Sequence, residues 1–176
     1  LLKKGETAVM DVRSSKILKE TIQVKKGKLV LSKAGHTYIK EAMKKYKSRF
    51  GVEKSGHYYF KDFYYADSPL ITALEVFHIL DKTKKPFSSL LAPYKKYAEA
   101  QEINFTIKNK KQTLLNIEKT FKKQSLKISH LDGLSLYCKD FWFNLRPSQT
   151  EPVLRLNLEA DNQRILQEKL KWFKNN

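Results

Sequence analysis

The chain contains one cysteine, Cys138, and no CxxC motif or other closely spaced group of cysteines and histidines. A single cysteine cannot form an internal disulfide, and the ligand spacing of a structural zinc site is absent. Cys138 follows Leu134 and Leu136 in an alternating apolar run, so we interpret it as a small apolar residue of a strand. The sequence therefore predicts no metal site within this chain.

Long apolar runs are also missing, since no stretch approaches the ~20 residues that a transmembrane helix requires. No signal-peptide pattern is present either. We therefore expect a cytoplasmic protein with no membrane contact. Hydrophobic residues make up 41% of the chain and aromatic residues 12%, which is enough to bury a core and argues against extensive disorder.

Arginine is scarce although the formal net charge is +17, because only five of the 35 basic residues are arginines and the others are lysines. Specific readers of bases and phosphates favour arginine, whereas lysine suits open, hydrated surface. We interpret the excess as a solvated lysine-rich surface that attracts anionic substrates, and we expect no nucleic-acid partner. A basic nucleic-acid-binding protein is the alternative that rests on charge alone.

Up to residue 81, strand patterns alternate with helix patterns. Short apolar runs predict strands at residues 7–12, 28–31 and 49–53. Helical spacing of apolar residues predicts helices at residues 15–26, 36–47 and 68–81, the last of them buried. Strands that alternate with helices at this spacing indicate a parallel, layered α/β unit.

Beyond about residue 97 the pattern changes to successive strands flanked by helices. Strands are predicted at residues 102–107, 126–131, 133–138, 141–146 and 153–159, and helices at 110–123 and 161–174. Asp132-Gly133 between two alternating runs is a strong hairpin signal. This order indicates a smaller α+β unit, an antiparallel sheet with helices on one face. We therefore expect two domains, residues 1–97 and 98–176.

A proline-bracketed loop from Arg146 to Pro152 follows the predicted strand at 141–146. An arginine can bind two anionic oxygens at once, and Ser148 and Thr150 add hydroxyl donors. No carboxylate interrupts the run from Arg146 to Thr150, which favours a compact dianion such as a phosphate monoester as the ligand. The alternative is an ordinary surface turn with Arg146 in a salt bridge.

A second polar loop, Glu53 to His57, closes the predicted strand at 49–53. Glu53 can accept hydrogen bonds from two neighbouring hydroxyls of a sugar, and Ser55 can donate or accept one. His57 titrates near neutrality, which suits it to proton transfer or to a hydrogen bond with phosphate. The alternative is an exposed loop in which Glu53 pairs with a lysine.

Arg13 and His36 stand at the corresponding positions after the two preceding strands. The carboxyl ends of parallel strands share one edge of a sheet, which is the usual ligand-facing edge of an α/β domain. We therefore expect Arg13, His36 and the loop from Glu53 to His57 to converge in space.

Four stretches of the chain follow one another in an order and spacing that is typical of one family: Asp11–Ser15, Lys33–Lys40, Glu53–Asp62 and Phe143–Glu159. Together they resemble the α-D-phosphohexomutase superfamily, specifically its bacterial phosphomannomutase/phosphoglucomutase branch. The combination of an ExSGH loop with a later RPSxTEP loop is far more specific than either loop alone, and the stretches span nearly the whole chain.

The resemblance implies a four-domain isomerase that transfers phosphate within hexose phosphates. This chain would be most of the third domain, a three-layer α/β/α domain with a mostly parallel sheet, and all of the fourth, a TATA-binding-protein-like α+β domain. The reaction interconverts hexose 1- and 6-phosphates through a hexose bisphosphate, with a phosphoserine and Mg²⁺ held by upstream domains. Neither the serine loop nor the aspartate-rich metal loop occurs here. We therefore expect the chain to need the missing N-terminal domains of the same protein and to be inactive alone.

The resemblance also implies a role for each residue of the two loops. Glu53 and Ser55 would bind the sugar hydroxyls. The catalytic cleft would contain His57, His36 and Arg13. The phosphate that does not react would be held by Arg146, Ser148, Gln149 and Thr150. Relatives usually carry asparagine or glycine in place of Gln149, so we expect a relaxed turn or local strain at that position.

Mannose and glucose phosphates both fit this pattern as substrates. The phosphoglucosamine mutase branch is disfavoured, because its loop typically reads Lys-Ser-Gly after the arginine, where this chain has Pro-Ser-Gln. A noncatalytic module that binds a phosphosugar is the alternative from another functional class.

Overall fold

The computed structural model describes residues 2–148 and 150–175. The chain divides into two compact units, Leu1–Lys96 and Tyr97–Asn176. Among the residues described, no helix is both long and apolar enough to cross a membrane. The predicted fold class is confirmed, because an α/β unit with a mixed sheet precedes an α+β unit with an antiparallel sheet.

The first unit is built on a five-stranded sheet with the order β2-β1-β3-β4-β5. Its strands are β1 Thr7–Asp11, β2 Lys28–Ser32, β3 Phe50–Val52, β4 Tyr58–Phe60 and β5 Ala66–Asp67. Its helices are α1 Lys16–Val24, α2 His36–Lys45, α3 Pro69–Thr83 and α4 Phe87–Leu91. β1 runs parallel to β2 and β3, as predicted, whereas β4 and β5 add an antiparallel edge.

Helix α2 packs closely on the centre of this sheet. Ile39 and Met43, which the sequence places on one helix face, are fully buried against Val9 of β1 and Tyr59 of β4. A Cβ atom at Gly51 would lie 2.5 Å from the Met43 sulfur, so glycine is needed for this approach. This contact holds α2 close to β3, the strand that leads into the loop at Glu53.

Helix α3 corrects the prediction of a buried helix at residues 68–81. Ser68 caps it by accepting a hydrogen bond from the Ile71 N–H, and the helix is formed. However, Leu70, Leu74 and Phe77 are 68%, 58% and 64% exposed. Helical spacing reports an apolar stripe but not what covers it. An exposed stripe of this kind is typical of an interaction surface rather than of a core.

The second unit contains six antiparallel strands and two longer helices. The strands are β6 Ala98–Glu99, β7 Ile103–Thr106, β8 Lys127–Ser129, β9 Leu134–Tyr137, β10 Phe141–Pro147 and β11 Val153–Ala160. The helices are α5 Lys110–Phe121 and α6 Gln163–Asn175. The sheet order is β6-β11-β10-β9-β8, and β7 also pairs with β11.

Alternation along the strands gives this second sheet one apolar face and one polar face. Phe143 and Leu156 lie in the core with Phe121 of α5 and Phe173 of α6. The rings of Phe143 and Phe173 meet edge to face at 4.9 Å between centroids. Alternate residues of the same strands are polar: Asn144, Arg146, Arg155 and Asn157. The period of two therefore sends Arg146 to the face away from the core.

The hairpin signal at Asp132-Gly133 is confirmed, because β8 and β9 pair antiparallel around it. The connection is longer than the two residues of the signal, since β8 ends at Ser129 and β9 begins at Leu134. Gly133 has φ +72°, and a Cβ there would lie 2.2 Å from the Leu145 carbonyl oxygen. Glycine therefore serves the close approach to β10 as well as the turn.

We predict that Leu156→Ala lowers the free energy of unfolding by about 2–5 kcal/mol, because it opens a cavity in a core where Leu156 is fully buried. Leu126→Ala is the matched control in the same unit, since Leu126 is 77% exposed and its loss should cost about 0.5 kcal/mol or less. Urea unfolding of both variants measures the difference. Equal losses would contradict the placement of Leu156 in the core.

Candidate functional site

The carboxyl ends of the three parallel strands bring the predicted residues of the first unit together. The Gly35 N–H, at the start of α2, donates to Glu53 Oε2 at 3.2 Å. An Arg13 guanidinium nitrogen lies 3.6 Å from the same oxygen. The Lys54 N–H donates to Asp11 Oδ2 at 3.3 Å. Segments after β1, β2 and β3 thus share one edge, as their parallel order requires.

Asp11 is the fully buried anchor of this edge. Its Oδ2 accepts hydrogen bonds from the Arg13 side chain, at 3.0 Å from Nε and 2.6 Å from Nη2. Its Oδ1 accepts from the Arg13 N–H and from the Ser14 hydroxyl. The carboxylate therefore fixes the guanidinium in one orientation and offsets its charge. Sequence reasoning missed this role, although Asp11 begins the stretch Asp11–Ser15.

Glu53 is buried, and both of its carboxylate oxygens have protein partners. Oε1 accepts a 2.5 Å hydrogen bond from the Tyr59 hydroxyl, and Oε2 accepts from Gly35. Burial, followed by the hydrogen bond to Glu53, raises the pKa of Tyr59 well above its usual value. Tyr59 therefore stays protonated and keeps donating. An ionised carboxylate offers about four acceptor positions, so Glu53 retains capacity for substrate hydroxyls. The alternative interpretation paired Glu53 with a lysine, whereas the hydrogen bonds described for its carboxylate come from Tyr59 and Gly35.

The Glu53 loop is exposed from Ser55 to His57. Ser55 and Gly56 form its tip, and Gly56 adopts φ +88° with its N–H donating to the Glu53 carbonyl. His57 is exposed, and its Nδ1 lies 3.0 Å from Asp67 Oδ2 on β5. That hydrogen bond holds the pKa of Asp67 below its usual value.

Asp67 is a functional candidate that sequence reasoning missed. An ionised carboxylate can only accept hydrogen bonds, so Nδ1 is the ring nitrogen of His57 that donates to Asp67. The feature of the sequence that could have identified Asp67 is an acidic residue shortly after the aromatic run Phe63–Tyr65. His36, the first residue of α2, is exposed near the same edge.

In the second unit, the predicted phosphate loop joins β10 to β11. The Ser148 N–H donates to the Val153 carbonyl at 3.0 Å, which closes the loop at its base. The Ser148 hydroxyl accepts from the Glu151 N–H at 3.3 Å, so part of its capacity is used inside the loop. Thr150 is exposed. Gln149 lies outside the described residues.

Lys110 connects this loop to α5. Its Nζ donates to the Ser148 carbonyl at 2.7 Å and to the Glu151 carbonyl at 3.0 Å. These contacts cross 38 and 41 residues of sequence, so no local pattern predicts them.

Arg146 and Arg155 lie directly opposite each other on β10 and β11. Arg155 is offset by two carboxylates, Glu151 at 2.9 Å and Glu102 at 3.9 Å. Within the described part of the chain, Arg146 has no carboxylate within salt-bridge distance, and the buried Nε atoms of both arginines have no hydrogen-bond partner. The surface-turn alternative, which required a salt bridge at Arg146, is therefore not what the described residues form.

Like charges opposite each other in a sheet repel, and an unpaired buried donor costs free energy. An anion bound at Arg146 would relieve both costs. Among residues 2–148 and 150–175, no group of three or more histidine, cysteine, aspartate or glutamate side chains is placed to hold a metal ion.

Two known families match successive parts of the chain. The family described as "Phosphoglucomutase/phosphomannomutase, alpha/beta/alpha domain III" matches residues 1–97. The family described as "Phosphoglucomutase/phosphomannomutase, C-terminal domain" matches residues 102–170. A solved phosphoglucomutase/phosphomannomutase family protein from Burkholderia thailandensis superposes with a TM-score of 0.82 at 25% identity, covering 98% of this chain and 37% of that one.

Among curated proteins, a phosphomannomutase of Methanocaldococcus jannaschii is 42% identical over 173 residues, which is 98% of this chain and 38% of that protein. A phosphomannomutase of Escherichia coli is 34% identical over 157 residues, which is 89% of this chain and 34% of that protein. The chain thus spans little more than a third of the length of these relatives. The two family matches, over residues 1–97 and 102–170, show that this chain belongs to the phosphoglucomutase/phosphomannomutase family.

Proposed function

We propose that this chain is the sugar- and phosphate-binding part of a phosphohexomutase that interconverts hexose 1-phosphate and hexose 6-phosphate through a bisphosphate. The observation that carries the proposal is Arg146, a half-buried arginine without a carboxylate partner among the described residues, beside a loop closed on itself. Family membership supplies the reaction class, and the relatives named above are phosphomannomutases.

The phosphate site is proposed around Arg146. Its guanidinium would bind two phosphate oxygens, because the planar fork matches such an anion. Thr150, exposed at the loop, would donate its hydroxyl. Ser148 would contribute the hydroxyl proton that its bond with Glu151 leaves available. The role predicted for Gln149 stays a prediction.

The sugar site is proposed around Glu53 and Ser55. Tyr59 and Gly35 hold one acceptor position on each oxygen of the Glu53 carboxylate, which leaves others for two adjacent hydroxyls. A carboxylate fixed in this way discriminates between hexoses by the direction of a hydroxyl, since a misdirected hydroxyl leaves a buried acceptor unpaired. A hexose phosphate carries both the diol for Glu53 and the phosphate for Arg146.

His57, His36 and Arg13 are proposed to act on the reacting end of the substrate. With Nδ1 held by Asp67, His57 Nε2 is the atom that would accept a proton from an attacking hydroxyl. His36 would donate a hydrogen bond to phosphate oxygens. Arg13, oriented by Asp11, would stabilise charge on the transferred phosphate.

The proposal assigns the phosphoserine and a Mg²⁺ ion to parts of the protein other than this chain. A bound Mg²⁺ would neutralise phosphate charge during transfer. We therefore expect the chain alone to bind sugar phosphates without converting them. Cytoplasmic location stays a prediction.

We predict that Arg146→Ala, in the protein as the cell makes it, weakens binding of both glucose 1-phosphate and glucose 6-phosphate by roughly 2–3 kcal/mol, about 30- to 150-fold, through loss of a charge-assisted pair. Arg164→Ala is the control, since Arg164 is exposed on α6. Michaelis constants for both substrates measure the effect. Unchanged constants for Arg146→Ala would contradict the phosphate site.

We predict that Glu53→Gln lowers kcat/KM by roughly 10- to 100-fold, as for the loss of a charged acceptor. The ratio of kcat/KM between mannose 1-phosphate and glucose 1-phosphate should move toward one, whereas inhibition by inorganic phosphate should change little. Glu41→Gln, at an exposed position on α2, is the control. A uniform loss with an unchanged ratio would contradict the sugar-binding role.

We predict that His57→Ala raises the pKa of Asp67 toward its usual value, as measured by NMR titration of the carboxyl carbon. The pKa of Asp67 is lower in the folded protein than in the unfolded chain, where it is ~3.9. The contact with His57 therefore stabilises the protein fully at pH values above the unfolded pKa. This stabilisation is lost as the pH falls through the folded pKa. His57→Ala should therefore lose less stability on acidification. His130→Ala, which removes an exposed histidine bound to Glu118, should leave Asp67 unchanged. The same Asp67 titration in wild type and His57→Ala would refute the pairing.

A further inference from the structure

We propose that Lys110 is a positioning residue for the phosphate site, holding the carbonyl groups of Ser148 and Glu151 away from a bound anion. This inference rests on the proposed function, because it assigns a task to a residue that supports the loop beside Arg146. Lys110 lies outside both polar loops and is the first residue of α5.

The geometry is a bridge across the two ends of the loop. The Lys110 ammonium donates to the Ser148 carbonyl at 2.7 Å and to the Glu151 carbonyl at 3.0 Å. Both bonds involve a charged donor, which makes them stronger than bonds between neutral groups. The side chain is half-buried, so solvent competes less for these contacts than at an open surface.

Apart from the ion pair between the Glu151 carboxylate and Arg155, at 2.9 Å, the other described loop contacts join neutral groups. The Ser148 N–H donates to Val153, and the Ile107 N–H donates to the Pro152 carbonyl. The Glu151 N–H donates to the Ser148 hydroxyl. These bonds close the base and the interior of the loop. Lys110 adds a tie from a helix, a rigid element that begins with the Asn109 cap.

The direction of the two carbonyls explains why the tie affects anion binding. A carbonyl oxygen carries partial negative charge and would repel a phosphate that it faced. The Ser148 and Glu151 oxygens point to the ammonium and are compensated by it. Without Lys110, both carbonyls would lose this partner, and the loop could turn either of them toward the anion. The tie therefore removes unfavourable orientations before the ligand arrives.

Lys110 and Lys111 both lie in the first turn of α5. The N-terminal turn of a helix disfavours a cation, because the helix dipole is positive there. Lys111 follows in the same turn and is exposed. The two lysines carry the same charge and differ in the contact with the loop. They form a matched pair for separating geometry from charge.

The experiment compares Lys110→Met with Lys111→Met in the protein as the cell makes it. The probes are glucose 1-phosphate, by its Michaelis constant, and inorganic phosphate, by its inhibition constant, each at low and at high salt. We expect Lys110→Met to weaken both probes roughly tenfold at either salt concentration, the loss typical of one or two hydrogen bonds. We expect Lys111→Met to weaken them less than about twofold, and only at low salt.

Three controls make the outcome decisive. The discrimination between mannose and glucose phosphates should stay unchanged in Lys110→Met, because the sugar site is on the other unit. Lys110→Arg, which keeps a charged donor, should recover part of the affinity. If Lys110→Met fails to fold, Lys110→Gln replaces it, since an amide donates to one carbonyl without a charge and should show an intermediate loss.

Equal effects of the two lysine substitutions would overturn the proposal, since charge alone would then explain them. Unchanged phosphate binding in folded Lys110→Met would overturn it as well. These outcomes differ from failure of the proposed function, which Arg146→Ala reports. If Arg146→Ala weakens binding and Lys110→Met does not, the phosphate site stands and the tie is refuted.

Discussion

The parallel pairing of β1 with β2 and β3 is the constraint on which the first site depends. It sets the carboxyl ends of three strands on one edge, and Asp11, Gly35 and Glu53 come together there. Two buried carboxylates at one edge would repel each other without compensation. Arg13 lies within reach of both, at 2.6 Å from Asp11 and 3.6 Å from Glu53. The sheet topology therefore brings two carboxylates together, and Arg13 offsets their charge.

The charged candidate residues of the two units differ in the partners that the protein supplies. In the first unit the carboxylate of Glu53 is already held by Tyr59, so its direction is fixed before a ligand binds. In the second unit Arg155 is offset by Glu151, whereas Arg146 opposite it is not, within the described residues. A fixed acceptor suits recognition of hydroxyl direction, and an uncompensated donor suits capture of an anion. A hexose phosphate, the ligand proposed above, has both hydroxyls and an anionic group.

The sequence predicted the parts of the fold that depend on local pattern. Periodicity located the helix at residues 36–47 and the long strands of the second sheet, and the order of strands and helices gave both sheet types. Arg13, His36 and the Glu53 loop were predicted to converge because strand ends in a parallel sheet must share an edge. These inferences use spacing and topology, which the sequence carries directly.

The remaining features depend on contacts between residues distant in sequence. The exposure of Leu74 on α3 follows from what does not pack against it, which helical spacing leaves open. Asp67 meets His57 because β4 and β5 fold back on each other, and Lys110 meets the loop at Ser148 across 38 residues. Tyr59 appeared as one of several aromatic residues, and only its hydroxyl contact with Glu53 distinguishes it. Partners of this kind require the three-dimensional pairing.

The many surface lysines and Arg146 of the predicted phosphate loop would attract an anion over different distances. A net charge of +17 creates a field that concentrates anions near the surface, and dissolved salt screens it over about 8–10 Å. The half-buried Arg146 would contact an anion directly, and such a contact is screened much less. Salt should therefore change how fast a sugar phosphate arrives more than how it is held. The many lysines need no defined geometry for that task, which explains why their pattern carried little information about the site.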